Sequence, residues 1–170
     1  MTQNEIIRLN EEFADATPET ILSYFLDRFG DRIALSSSLS IEDQVLTDMI
    51  CKLKPSARIF TLDTGRLFPE TYSLIDRTAM RYGIRLQVFF PDRAEVEKLV
   101  ADCGMNGFYE SLEKRKRCCR VRKLEPLERA FQGLDAWICG LRREQSVTRS
   151  GMRAIEWDET HGLVKINPLI

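Results

Sequence analysis

A chain of 170 residues, 44% hydrophobic and 30% charged, has the length and composition of one globular domain with a real core. A formal net charge of −1 weighs against a general nucleic-acid binder, no apolar run approaches membrane-spanning length, and the opening MTQNEIIRLNEEFADA is not a signal peptide, so a cytoplasmic protein without nucleic-acid or membrane partners is expected. In that compartment the five cysteines should be reduced, catalytic or metal-bound, and the single histidine, His161, argues against His-rich metal sites and Ser-His-Asp chemistry.

Residues 3 to 15 place Ile6, Ile7, Leu9 and Phe13 at helical spacing, and Thr17-Pro18-Glu19 opens a second helix that runs through Phe29. Residues 32 to 36 read as a buried strand that empties into SSSLSIEDQ. From Glu42 the pattern Val45, Leu46, Met49, Ile50, Leu53 predicts an amphipathic helix, with Cys51 beside its apolar face. A second strand covers 58 to 62, and the loop LDTGRLFPET leads to a helix ending near Tyr82. A third strand is expected from Ile84 to Phe90, then a helix from Pro91-Asp92 to about Cys103. Residues 108 to 131 should be mostly helical, with Pro126 kinking or splitting them. A fourth strand over 136 to 140 precedes the loop LRREQSVTRSG, and two short β segments flank a turn near His161-Gly162. Alternating strands and helices predict an α/β fold with a doubly wound, mostly parallel sheet, its strand-end loops along one edge.

Three of those loops carry polar chemistry. SSSLSIED runs into a helix amino terminus, where free N–H groups favour an anion, and Ser36, Ser37 and Ser38 add hydroxyls. In LDTGRLFPET, Asp63 either bonds a ribose hydroxyl or caps the turn, and Gly65 lets backbone approach a ligand. GLRREQSVTR offers Arg142, Arg143 and Arg149, whose forks match phosphate and sulfate oxygens. Separately, KRKRCCRVRK sets Cys118 and Cys119 among seven basic side chains. Adjacent thiols are badly placed to bridge each other, and suit instead two thiolates on a metal cluster. A solvated basic face with incidental cysteines is the other reading.

In order along the chain, these motifs and KRCCRVRKLEPL resemble the sulfonucleotide reductases, which reduce adenosine 5'-phosphosulfate (APS) or its 3'-phosphorylated form (PAPS) and share the adenine-nucleotide α-hydrolase-like (PP-loop) fold. The resemblance implies a single sulfonucleotide-binding domain over 1–170. It implies a cysteine nucleophile that attacks the sulfonucleotide sulfur, giving an enzyme S-sulfonate and AMP. Thioredoxin or glutaredoxin then releases sulfite for cysteine biosynthesis. Cys118 and Cys119 match the pair that the APS-using branch places on a [4Fe-4S] cluster, and Lys123 matches the lysine linking cluster region and substrate. Ser36 to Ser38, Arg142, Arg143 and Arg149 would hold the phosphosulfate, with Asp63 and Gly65 near the nucleotide. A homo-oligomer is compatible with the family.

The family pattern also has a downstream Cys-x-x-Cys pair and a catalytic cysteine in a carboxyl-terminal tail, and neither motif is in this sequence. The expectation is an amino-terminal part of a reductase, inactive alone, with its nucleophile beyond residue 170. PAPS reduction, an ATP-pyrophosphatase of the same superfamily and a non-catalytic nucleotide-binding module are the alternatives.

Overall fold

Helices start where the sequence supplies an acceptor for their free amides. Thr2 caps α1 (Gln3–Glu12), Thr17 caps α2 (Pro18–Phe29), Ser40 caps α3 (Ile41–Leu53), Asp92 caps α5 (Arg93–Cys103) and Ser111 caps α6 (Leu112–Cys119). The other elements are α4 (Pro69–Tyr82), α7 (Glu125–Ala130) and strands β1 (Ile33–Ser36), β2 (Arg58–Leu62), β3 (Gln87–Phe89), β4 (Ala136–Ile138), β5 (Ile155–Asp158) and β6 (Leu163–Ile166). The computed structural model describes residues 1–142 and 151–170.

The strands form one sheet in the order β3-β2-β1-β4-β6-β5, in which every neighbouring pair is parallel except β5 and β6. Side-chain alternation gives the sheet two apolar faces. Ile33, Leu35, Ile59 and Ile138 point into a core with Leu22, Phe25, Leu46 and Ile50 from α2 and α3. Ala34 and Phe60 point the other way, against Ala130, Phe131 and Leu134 at the end of α7. A sheet covered on both faces is the expected doubly wound α/β arrangement. The strand order reverses between β1 and β4, which makes that the crevice where loops can part around a ligand.

Two strands differ from the sequence expectation, and one expected break is seen. The third strand begins at Gln87 rather than Ile84, because Gly83 turns left-handed and the Ile84 amide still bonds back to the Ala79 carbonyl. The fourth strand ends at Ile138, and the Gly140 amide turns instead to Asp43. Pro126 does split the helical stretch: it sits in the first turn of α7, directly after a π-helical turn over Arg120–Leu124. Proline has no N–H for the Arg122 carbonyl, and the Glu125 amide reaches back five residues to Arg120.

The open edge of β5 is covered by α1. Asn10 donates to the Ile155 carbonyl at 2.8 Å and accepts from the Ile155 amide at 3.1 Å, as a neighbouring strand would. Replacing Asn10 with alanine strands both groups, and unfolding in urea should show a loss of about 1–3 kcal/mol. An unchanged midpoint would mean that water replaces the amide without penalty.

Candidate functional site

The loop leaving β1 is held by a carboxylate from the helix it enters. Asp43, 4% exposed in the first turn of α3, accepts from the Ser38 amide and hydroxyl at 2.6 Å each and from the Ser40 hydroxyl at 3.3 Å. Its other oxygen accepts from the Gly140 amide at 3.1 Å, so it also holds the loop after β4. Ser37 is buried, and its hydroxyl accepts from the Leu39 amide, while Leu39 takes a left-handed φ of 64°. That conformation is uncommon outside glycine and stores modest strain. Two of the three serines expected to face an anion are thus engaged within the loop. The Ser36 hydroxyl has no partner among the described residues, and Ser36 lines both cavities of this edge.

In the loop after β2, Asp63 is buried and accepts from the Gly65 amide at 2.7 Å, which is the turn-capping role of the two that the sequence offers. The carboxylate also stands near the Tyr72 hydroxyl and raises the phenol pKa above its usual value. Gly65 has φ 70°, and a Cβ there would sit 3.1 Å from Nη1 of Arg122. Asp63 and Gly65 shape the loop, while its neighbour Thr64 faces the cavity. That cavity, about 240 Å³, is walled by Ser36, Ser37, Ser38, Thr61, Thr64, Thr71 and Lys123, with Leu39, Leu62 and Leu67. Hydroxyl donors and one ammonium make it suited to a small anion. The threonines went unnoticed in the sequence because isolated hydroxyls carry no spacing signal.

A second cavity of about 290 Å³ opens at the switch point between Ser36, Ser38, Ser40, Glu42, Asp43, Cys139, Gly140 and Leu141. Arg142, next in the chain, pairs with Glu42 of its lining at 2.8 Å. Arg143 and Arg149 lie outside the described residues. Cys139 is no nucleophile: its thiol donates to Asn167 at 2.9 Å, and burial pushes its pKa up to about 12. A larger groove of about 850 Å³ runs between α3 and α4, but it holds little of the strand-end chemistry.

Cys118 and Cys119 close α6, both half-buried. The positive run around them is less free than its sequence implies. Lys114 pairs with Glu110, Arg117 with Asp102 and Arg120 with Glu125. Lys123 keeps no ion pair among the described residues and faces the 240 Å³ cavity. No group of three Cys, His, Asp or Glu side chains is placed to hold a metal among the described residues. Cys118 and Cys119 therefore fit half of a four-thiolate set and do not make a complete one by themselves.

Two outcomes follow from this geometry. A Cβ at Gly140 would clash with the Asp43 carboxylate. Gly140→Ala should cost about 1–3 kcal/mol in urea unfolding, and an unchanged midpoint would dismiss the tie between the two loops. At pH 8, Cys139 is protonated almost entirely, so brief iodoacetamide treatment of the folded chain should leave it unmodified by peptide mapping. Rapid native labelling of Cys139 would contradict its placement.

A family model described as phosphoadenosine phosphosulfate reductase domain matches residues 32–170. Curated proteins named adenosine 5'-phosphosulfate reductase are similar. The one from Allochromatium vinosum is 50% identical over 139 residues, covering 82% of this chain and 54% of its own length. The one from Pseudomonas aeruginosa is 42% identical over 167 residues, covering 95% and 61%. The chain thus spans a little over half the length of these relatives. Among solved structures, a phosphoadenylyl-sulfate (PAPS) reductase from Candida auris, in a phosphate complex, superposes with a TM-score of 0.84 at 27% identity, over 99% of this chain and 80% of that one. Yeast FAD synthetase, at TM-score 0.57 and 14% identity, shares the fold alone, over 100% of this chain and 56% of its own. With the match spanning the sheet from the start of β1 and the cavity built from the same residues, the chain belongs to the phosphoadenosine phosphosulfate reductase domain family.

Proposed function

We propose that the chain binds adenosine 5'-phosphosulfate and presents its sulfur for reduction to sulfite, with AMP as leaving group. The observation that carries this reading is the convergence of Ser36, Thr64 and Lys123 on one cavity at the carboxyl edge of the sheet, five residues along the chain from Cys118. Lys123 places an ammonium opposite the hydroxyl wall, which orients a phosphosulfate and disperses charge on the departing phosphate oxygen. In the first step a thiolate bonds to the sulfonucleotide sulfur as the sulfur–oxygen bond breaks and the electron pair leaves with AMP. In the second, a dithiol partner such as thioredoxin attacks the S-sulfonate and releases sulfite, ending as a disulfide while the enzyme thiol is restored. Buried Cys139 is excluded from the nucleophile's role by its bond to Asn167.

Cys118 and Cys119 would supply two thiolates to an iron–sulfur cluster, and the cysteine pair supports APS over PAPS. The cluster would add the electrostatic field of its metal and thiolates near Lys123. The PAPS reading stays second, favoured by the similarity to the Candida auris enzyme.

Calorimetry of the 170-residue chain with APS, PAPS and AMP tests the reading. APS should bind more tightly than PAPS, and Lys123→Ala should weaken APS by roughly 1.5–3 kcal/mol, about ten- to a hundredfold. Tighter PAPS binding would transfer the assignment to the second reading, and undiminished APS affinity in a folded Lys123→Ala chain would remove Lys123 from the site.

A further inference from the structure

Arg122 is buried to 7% exposure, unlike every other cation among the described residues. Burying a guanidinium is unfavourable unless its donors are met, and no carboxylate among the described residues pairs with it. Its Nη1 donates instead to the Thr64 carbonyl at 2.7 Å, in the turn where a Cβ on Gly65 would stand 3.1 Å away. A backbone carbonyl is a weak counterpart for a full charge, so this contact is not explained by ion pairing.

The position of Arg122 explains it better. Its side chain borders the small cavity that also contains Cys118, Cys103 and Lys114. Through Thr64 it supports a wall of the anion cavity, and the next residue, Lys123, enters that same cavity. The π-helical turn over Arg120–Leu124 sets the directions of both residues. Arg122 therefore borders the cavity that holds Cys118 and, through Thr64, backs a wall of the anion cavity.

We propose that Arg122 is a positioning residue that couples occupancy of the anion cavity to the Cys118–Cys119 pair. The proposal rests on the reading of that cavity as the sulfonucleotide site. An anion drawn in by Lys123 and the Thr64 wall loads the loop, and the Arg122–Thr64 bond carries that load to the thiols.

The test uses the 170-residue chain, with alkylation of Cys118 and Cys119 followed by peptide mapping, with and without saturating AMP. Hydrogen exchange of residues 63–68 is followed in parallel. In the unaltered chain AMP should slow alkylation about five-fold, the lower end of ordinary coupling between sites. In a folded Arg122→Met chain that still binds AMP by calorimetry, protection should fall below about two-fold, and exchange over 63–68 should rise about tenfold. Arg122→Lys, which keeps the charge and one donor, should recover part of both. A residue that only fills space would change unliganded alkylation without touching the ratio between liganded and free chain. Equal AMP protection in the Arg122→Met and unaltered chains overturns the proposal. If the unaltered chain binds neither AMP nor APS, the sulfonucleotide reading fails by itself. Arg122 is then judged on exchange over 63–68 alone, and no change there overturns its role. If Arg122→Met does not fold, Arg122→Lys carries the same readouts, and full AMP protection with unchanged exchange in it overturns the proposal.

Discussion

The site depends on one buried carboxylate in a place that the sequence reserves for an anion. Asp43 stands at a helix amino terminus, where the backbone would welcome a phosphate, and takes the amide and hydroxyl of Ser38, the hydroxyl of Ser40 and the amide of Gly140 for itself. Its four donors come from two loops that follow different strands, so the carboxylate acts as an internal stand-in for a ligand. The consequence is spatial. An anion entering this edge would meet like charge at the Ser38 corner and uncommitted donors at Ser36, Thr64, Thr71 and Lys123.

A proline sets the opposite wall. Pro126 cannot donate to the Arg122 carbonyl, and the chain before it takes a π-helical turn. Consecutive residues of a helical turn point in well-separated directions, and here Arg122 goes into the protein while Lys123 lines the cavity. The wider turn sets which of the positions 120–124 faces which way. Two chemically similar neighbours thus hold a buried and an exposed place.

The strands over 33–36, 58–62 and 136–138 were legible because each is short, apolar and covered on both faces, and the helix starts were legible because their caps are local. Ile84 to Leu86 misled because apolar residues serve a helix exit as well as a strand, and these pack against the core without entering the ladder. Of the three expected loops, those after β1 and β2 line one cavity with Lys123, while Arg143 and Arg149 of the third lie outside the described residues; the inner wiring was not legible. The Asp43–Gly140 bond spans 97 positions and the Arg122–Thr64 bond 58, and no local pattern encodes such partners. Arg122 was hidden by its company, since seven basic residues in a run read as one solvated surface.

That run also shows why counting charges misjudges a field. Lys114 and Arg120 are answered by carboxylates close in sequence, and Arg117 by Asp102 across the junction of α5 and α6. These pairs are largely exposed, so they add little stability, but they do cancel charge at short range. Four cations of the run keep no carboxylate partner among the described residues: Arg115 and Lys116, exposed on α6, Lys123 toward the cavity and Arg122 beneath the Thr64 turn. Partial neutralisation thins the positive field along α6, and of the cations that remain it is Lys123 that stands where hydroxyls line a cavity. On the proposed reading, a chain whose net charge is −1 would gain anion affinity at one edge without becoming a general binder of polyanions.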